Sequence, residues 1–244
     1  MEQSKGERIE DLQNGYAILQ NDAFFSFGTD AVLLAHFADI KAGEQVVDFC
    51  TGSGIIPILL AAKKTGAHIT GIEIQHELAS LASASIEMNK LGERVKIIEG
   101  DIKNVLDHVK HGVDVVVVNP PYEKQGSGKQ SANEFVNIAK REIMCTLCDV
   151  AGSAVKVLRV GGRFYIIYRT QRFAELMECL RRKKLEPKRI QLVAQRQGEA
   201  PSFALVEARK GASEGVKFLP TLCVYEKDGT YTQELKRIYH IEEA

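Results

Sequence analysis

The stretch Val113-Asp114-Val115-Val116-Val117-Val118-Asn119-Pro120-Pro121-Tyr122 governs the reading of this chain. A short, continuous β-branched apolar run predicts a strand buried on both faces, as inside a parallel sheet. It stops abruptly at an amide, two prolines and an aromatic ring. Each proline fixes φ and lacks an N–H, so the ladder ends and the backbone beyond it is stiff. One amide and one aromatic ring are therefore expected at the carboxyl end of a central strand, the edge where ligands of open α/β sheets bind. That tetrapeptide suits alkylation of a planar amine. The Asn119 side-chain oxygen and the Pro120 carbonyl can both accept hydrogen bonds from one NH2 group, which holds the amine and raises electron density on its nitrogen. Tyr122 can stack on the flat group that carries the amine. Attack on a nearby sulfonium methyl is then mainly a matter of positioning. Taken alone, Asn-Pro-Pro is also common punctuation at the end of an ordinary strand, so the upstream residues matter.

Upstream, the stretch from Gln45 to Ala62 predicts a strand, then a glycine-containing turn, then a helix. Gly52 and Gly54 permit positive φ and close backbone approach, and Pro57 is placed in the first helical turn, where its missing N–H does no harm. A dinucleotide fingerprint would need a third glycine at position 57. Its absence speaks against a pyrophosphate ligand, and so does Asp48, which would repel phosphate and attract an ammonium group. A second strand ends at Glu73, where an acid typically accepts from ribose hydroxyls. A third, Val95 to Ile98, runs into Gly100-Asp101-Ile102, placing Asp101 to accept from an adenine amine and Ile102 against the ring. Each acid alone reads as a loop acid. Three at successive strand ends, with a glycine turn at the first, form a coherent site.

The remaining elements complete an α/β reading. Tyr16 to Phe27 predicts a small hairpin turning at Gln20-Asn21-Asp22, and Ala31 to Ala35 a helix with Thr29 or Asp30 as N-cap. Glu123 to Gln130 reads as a loop overhanging the site. Glu134 to Leu158 predicts a long helical region broken at Gly152, with Cys145 and Cys148 on its face; no partner pair follows at zinc spacing, so no metal is expected. Gly161-Gly162 turns into a fifth strand ending at Tyr168. A helix over 171–183 precedes an antiparallel edge pair, Arg189 to Ala194 and Ser202 to Ala208. A strand-like Leu222 to Tyr225, an Asp228-Gly229 turn and a short helix over 233–239 follow.

At 244 residues, 45% apolar and 26% charged, the chain fits one large α/β domain. No stretch reaches transmembrane length. The start, Met1 to Gln13, is polar and charged, unlike a secretory signal, and five scattered cysteines fit a reducing cytoplasm. Net charge is zero, yet residues 156–196 carry 12 Lys/Arg against three acids, densest at Arg181-Arg182-Lys183-Lys184. A basic sector on a neutral protein fits a nucleic-acid footprint or a solvated helix end.

Val47-Asp48-Phe49-Cys50-Thr51-Gly52-Ser53-Gly54 resembles the first motif of class I S-adenosylmethionine-dependent methyltransferases, and Asn119-Pro120-Pro121-Tyr122 the catalytic motif of their amino-methylating branch. Nearly the whole chain is similar to the bacterial valine-tRNA adenine-N6 methyltransferase family, from Phe27-Gly28-Thr29-Asp30-Ala31 at its opening to Val206–Gly211 and Tyr231–Glu234 at its end. The resemblance implies a doubly wound, mostly parallel seven-stranded sheet with one antiparallel edge strand. It implies a division into an N-terminal hairpin and helix (1–40), a catalytic core (41–210) and a C-terminal extension (211–244). It implies S-adenosylmethionine as donor, with Glu73 on the ribose, Asp101 and Ile102 on the adenine, Asp48 near the methionine ammonium with the turn residues Thr51, Gly52 and Gly54, and Phe27 and Thr29 over the methionine end. The acceptor implied is an unpaired adenine beside the anticodon of a tRNA, splayed into the pocket, with no membrane partner and a monomer as the expectation.

Two rivals make different use of the same residues. A glutamine side-chain amide also presents NH2, and release-factor glutamine methyltransferases share Asn-Pro-Pro-Tyr; they carry a helical domain ahead of the first motif, where only 47 residues precede Asp48 here. A non-catalytic RNA-binding protein would need neither Asn119 nor the series of acids.

Overall fold

The computed structural model describes residues 6–22, 24, 27–63, 66–121 and 145–241. The expected apolar run is β6 (Val113–Val118), and its four consecutive valines are fully buried. Val115 and Val117 pack into the core on one face of the sheet, Val116 and Val118 into the core on the other. Burying each of these side chains contributes about 1.5–3 kcal/mol, which is why the run carries no polar alternation.

The chain reaches β6 through two strand–helix–strand units. β3 (Gln45–Phe49) leads through α2 (Ile55–Ala62) to β4 (His68–Glu73), and α3 (His76–Met88) leads to β5 (Val95–Glu99). A 3-10 turn (Ile102–Asn104) and α4 (Val105–His108) then bring the chain back across the sheet, so β6 pairs with β3 on the side away from β4. All these pairings are parallel. The winding direction reverses between β3 and β6, and a crevice opens at the carboxyl ends of strands at such a reversal.

Beyond β6 come α5 (Leu147–Val157), β7 (Leu158–Arg169), α6 (Phe173–Arg182), β8 (Leu185–Ala194) and β9 (Phe203–Lys210). The sheet order is β5-β4-β3-β6-β7-β9-β8. β8 and β9 pair antiparallel, as expected, and β9 also runs against β7. The antiparallel strand thus lies inside the sheet, not at its edge. The two-residue strands β10 (Lys217–Phe218) and β11 (Leu222–Cys223) pair parallel with β8 and extend that side.

α1 (Thr29–Phe37), α2, part of α3 and α7 (Gln233–Ile238) contribute to the core on one face; α4, α5 and α6 contribute to the other. α5 opens with a capping box between Thr146 and Asp149 and runs unbroken through Gly152, where a break was expected. Cys145 precedes this helix. The residues expected to form its earlier part, and the loop after Tyr122, lie outside the described residues. The N-terminal hairpin is also displaced from its expected place. It is formed by β1 (Glu7–Asp11) and β2 (Ala17–Asn21), and turns where Gln13 and Gly15 take positive φ. β1 is charged and almost wholly exposed, so it has no apolar alternation by which to be recognised.

Candidate active site

The turn after β3 is built from three left-handed residues: Cys50 at φ 55, Gly52 at φ 57 and Gly54 at φ 87. Glycine takes this conformation freely, whereas a residue with a Cβ takes it at a cost. The fold-back starts α2 at Ile55 and leaves Pro57 in its first turn. Gly54 faces α3, where an added Cβ would come within 3.1 Å of the Ala82 methyl.

Asp48 sits one residue before the end of β3 and has no solvent exposure. Its Oδ2 accepts from the Thr51 hydroxyl, while Oδ1 has no hydrogen-bond partner among the described residues. Burial pushes the Asp48 carboxyl up to about 8; the Thr51 bond opposes this and the nearby Glu73 charge adds to it. Glu73 ends β4. Its carboxylate accepts from the Gly52 N–H at 2.9 Å and the Gln75 N–H at 3.0 Å, so it ties the turn to the neighbouring strand. Burial raises the Glu73 pKa and these backbone donors pull it down.

Asp101 lies two residues beyond β5. It caps the following turn, accepting from the Lys103 N–H at 2.8 Å, with Lys103 Nζ 3.3 Å from its other oxygen. Ile102 is buried beside it. Glu73, Asp101 and Ile102 line one small cavity of about 30 Å3 together with Cys50, Ile72 and Cys145.

Asn119 follows β6 directly. Phe49 and Val118 are register partners, so Cys50 and Asn119 leave adjacent strands side by side. Nδ2 of Asn119 donates to Oδ2 of Asp30 at 3.2 Å. Pro120 is buried and Pro121 half-buried; Tyr122 lies outside the described residues. Phe27 packs against the core at the entry to α1. Neither Thr29 nor Asp30 caps α1, whose N-cap is Gly28 with no side-chain cap bond.

The fold therefore draws Asp48, Thr51, Gly52 and Glu73 into one hydrogen-bonded group, sets Asp101 and Ile102 across a shared cavity, and brings Asn119 to the adjacent strand end. Asp30 and Cys145 join this region although the sequence reading assigned them elsewhere. Asp30 read as a cap, and Cys145 lies 95 residues from Cys50, whose sulfur is 3.9 Å from its own. Gly71 left a usable signal, since a lone glycine in a strand marks close approach. An added Cβ there would come within 2.8 Å of the Thr51 hydroxyl oxygen.

At the reversal point of a parallel sheet the chain thus sets a buried carboxyl group with one oxygen unpartnered among the described residues, beside a small cavity lined by Glu73 and Asp101. The fold is that of the class I methyltransferases, proteins that use S-adenosylmethionine. Residues 20–196 match the family model described as "Methyltransferase small domain", and the chain belongs to that family. It is 26% identical over 234 residues to a protein named tRNA1(Val) (adenine(37)-N6)-methyltransferase from Histophilus somni, covering 91% of this chain and 92% of that one. A protein of the same name from Trichodesmium erythraeum is 26% identical over 226 residues, covering 90% and 91%. Among solved structures, a predicted O-methyltransferase from Agrobacterium tumefaciens superposes with a TM-score of 0.70 at 23% identity, covering 86% of this chain and 95% of that one. The fold by itself does not identify the acceptor atom.

Proposed function

We propose that this methyltransferase transfers a methyl group to the exocyclic N6 amine of an adenine in tRNA, next to the anticodon of a valine tRNA, in the cytoplasm. The observation that carries the amine chemistry is Asn119-Pro120 at the end of β6, beside the turn that follows β3. The tRNA acceptor is supported by relatives of that name matching over about nine-tenths of their length.

In this reading Glu73 holds the ribose hydroxyls, Asp101 and Ile102 hold the adenine of the donor, and Asp48 with the turn of Thr51, Gly52 and Gly54 faces the methionine ammonium. Phe27 and Thr29 close the methionine end. S-adenosylmethionine supplies an electrophilic methyl on a sulfonium. The Asn119 side-chain oxygen and the Pro120 carbonyl accept from the acceptor amine and align its nitrogen, and Pro121 stiffens the strand end. Tyr122 stacks on the acceptor base. The nitrogen forms its C–N bond as the C–S bond breaks, sulfur keeps the bonding pair, and the nitrogen sheds a proton to water.

The test is incubation with methyl-labelled donor and bulk tRNA, followed by digestion and identification of the labelled nucleoside. N6-methyladenosine is expected. Label in a protein glutamine instead would transfer the reading to the amide acceptor. Asn119→Ala is expected to lower turnover by about a hundredfold or more, in line with the loss of a positioning contact at the reacting atom, while calorimetry still detects donor binding.

A further inference from the structure

Asp30 has no part in the chemistry above, yet it reaches the Asn119 side chain from 89 residues away in sequence. Its Oδ2 accepts from Asn119 Nδ2 at 3.2 Å, while its Oδ1 accepts from the Ala31 N–H at 3.0 Å. The carboxylate is therefore anchored to the first turn of α1 while it grips the amide. An amide side chain has two edges of nearly the same shape, one donating and one accepting. The end of a strand does not tell them apart. A carboxylate only accepts, so it selects the orientation with NH2 toward Asp30 and Oδ1 on the opposite edge. An acceptor amine offers N–H groups and needs that Oδ1. The reversed amide would set donor against donor.

We infer that Asp30 is a positioning residue, which fixes the orientation of the Asn119 amide so that its oxygen is presented to the amine being methylated. The same bond polarises the amide and strengthens Oδ1 as an acceptor. The inference rests on the amine-methylation reading of the site.

Asp30→Asn keeps the shape but supplies a partner that both donates and accepts, so both amide orientations become populated. Turnover is expected to fall about tenfold to a hundredfold, the range spanned by one hydrogen bond to a charged group, with donor affinity unchanged by calorimetry. Asp30→Glu, which still only accepts, recovers part of the rate. In an Asn119→Ala background, Asp30→Asn adds no further loss, because the two act as one unit. Full turnover in Asp30→Asn, or an equal loss in that background, overturns the inference. The bond is also read without turnover. The side-chain NH2 signal of Asn119 in a proton–nitrogen NMR spectrum, assigned by its absence in Asn119→Ala, moves in Asp30→Asn; an unmoved signal overturns the inference for any substrate. A purely structural role for Asp30 would lower thermal stability and leave that signal in place. A wild-type protein that methylates no amine counts against the proposed function, and the amide signal then still decides whether Asp30 orients Asn119.

Discussion

Asp48 is a carboxyl group with no solvent exposure and an oxygen that finds no partner among the described residues. In the free protein its pKa is pushed up to about 8 by burial, so at pH 7 it is mostly protonated. A cationic ammonium beside it favours the ionised form. Binding of S-adenosylmethionine near pH 7 is therefore expected to release up to about one proton, and affinity should rise with pH until about pH 8 and level off above it. Calorimetry in buffers of differing ionisation enthalpy measures the released proton, and Asp48→Asn should abolish it. Buffer-independent heats would remove Asp48 from the ammonium site. The sign for folding is the same in origin. The folded state holds this proton more tightly than the unfolded chain, so the ligand-free protein loses stability as pH rises from about 4 toward 8.

The turn between β3 and α2 depends on its neighbours as much as on its own glycines. Gly71 lies opposite Asp48 in the β3–β4 register. An added Cβ would come within 2.8 Å of both the Thr51 hydroxyl oxygen and the Ile97 Cδ1, and 3.1 Å of the Thr51 Cβ. Thr51 is buried and bonded to Asp48, so it has little room to yield. Gly71→Ala is expected to cost about 1–3 kcal/mol of stability, as overpacking does, and to weaken donor binding by displacing the Asp48 partner. Urea midpoints and calorimetry would show both. Gly92→Ala, where a methyl group meets nothing within 4 Å, is the near-neutral comparison. The positions of β3, β4, β5 and β6 were legible because short apolar runs bounded by polar and Gly or Pro residues need only local chemistry to be recognised. β1 was not, because a charged, exposed strand carries no such pattern and is held by its pairing with β2.

Across the whole molecule, the basic sector is less open than its sequence density implies. Arg163 is buried against Glu44, Arg189 lies beside Glu207, and Arg181 meets Glu186 and Glu214. Arg159 pairs with Asp114 and Arg182 with Glu178. Lys183 and Lys184 stay exposed at the end of α6. If this face tracks an RNA backbone, Lys183→Glu with Lys184→Glu should weaken tRNA binding several-fold, roughly, at 50 mM salt, and less so near 200 mM. Donor affinity should not change. Filter binding at the two salt concentrations checks this, and equal affinities at low salt would move the footprint elsewhere. The C-terminal extension has a structural part as well. Tyr225, Tyr231 and Tyr239 stack at centroid spacings of 5.4 and 5.8 Å, and Leu235 and Ile238 of α7 are buried in the same core as α1.

Local patterning was enough to place a doubly buried strand ending in Asn119 and acids at three further strand ends, because side-chain periodicity and the backbone limits of Gly and Pro act over a few residues. It could not place Asp30 against Asn119, Cys145 against Cys50, β9 inside the sheet, or Glu44 against Arg163. Those contacts join residues tens of positions apart, and only the packing of the sheet and its helices brings them within reach of one another.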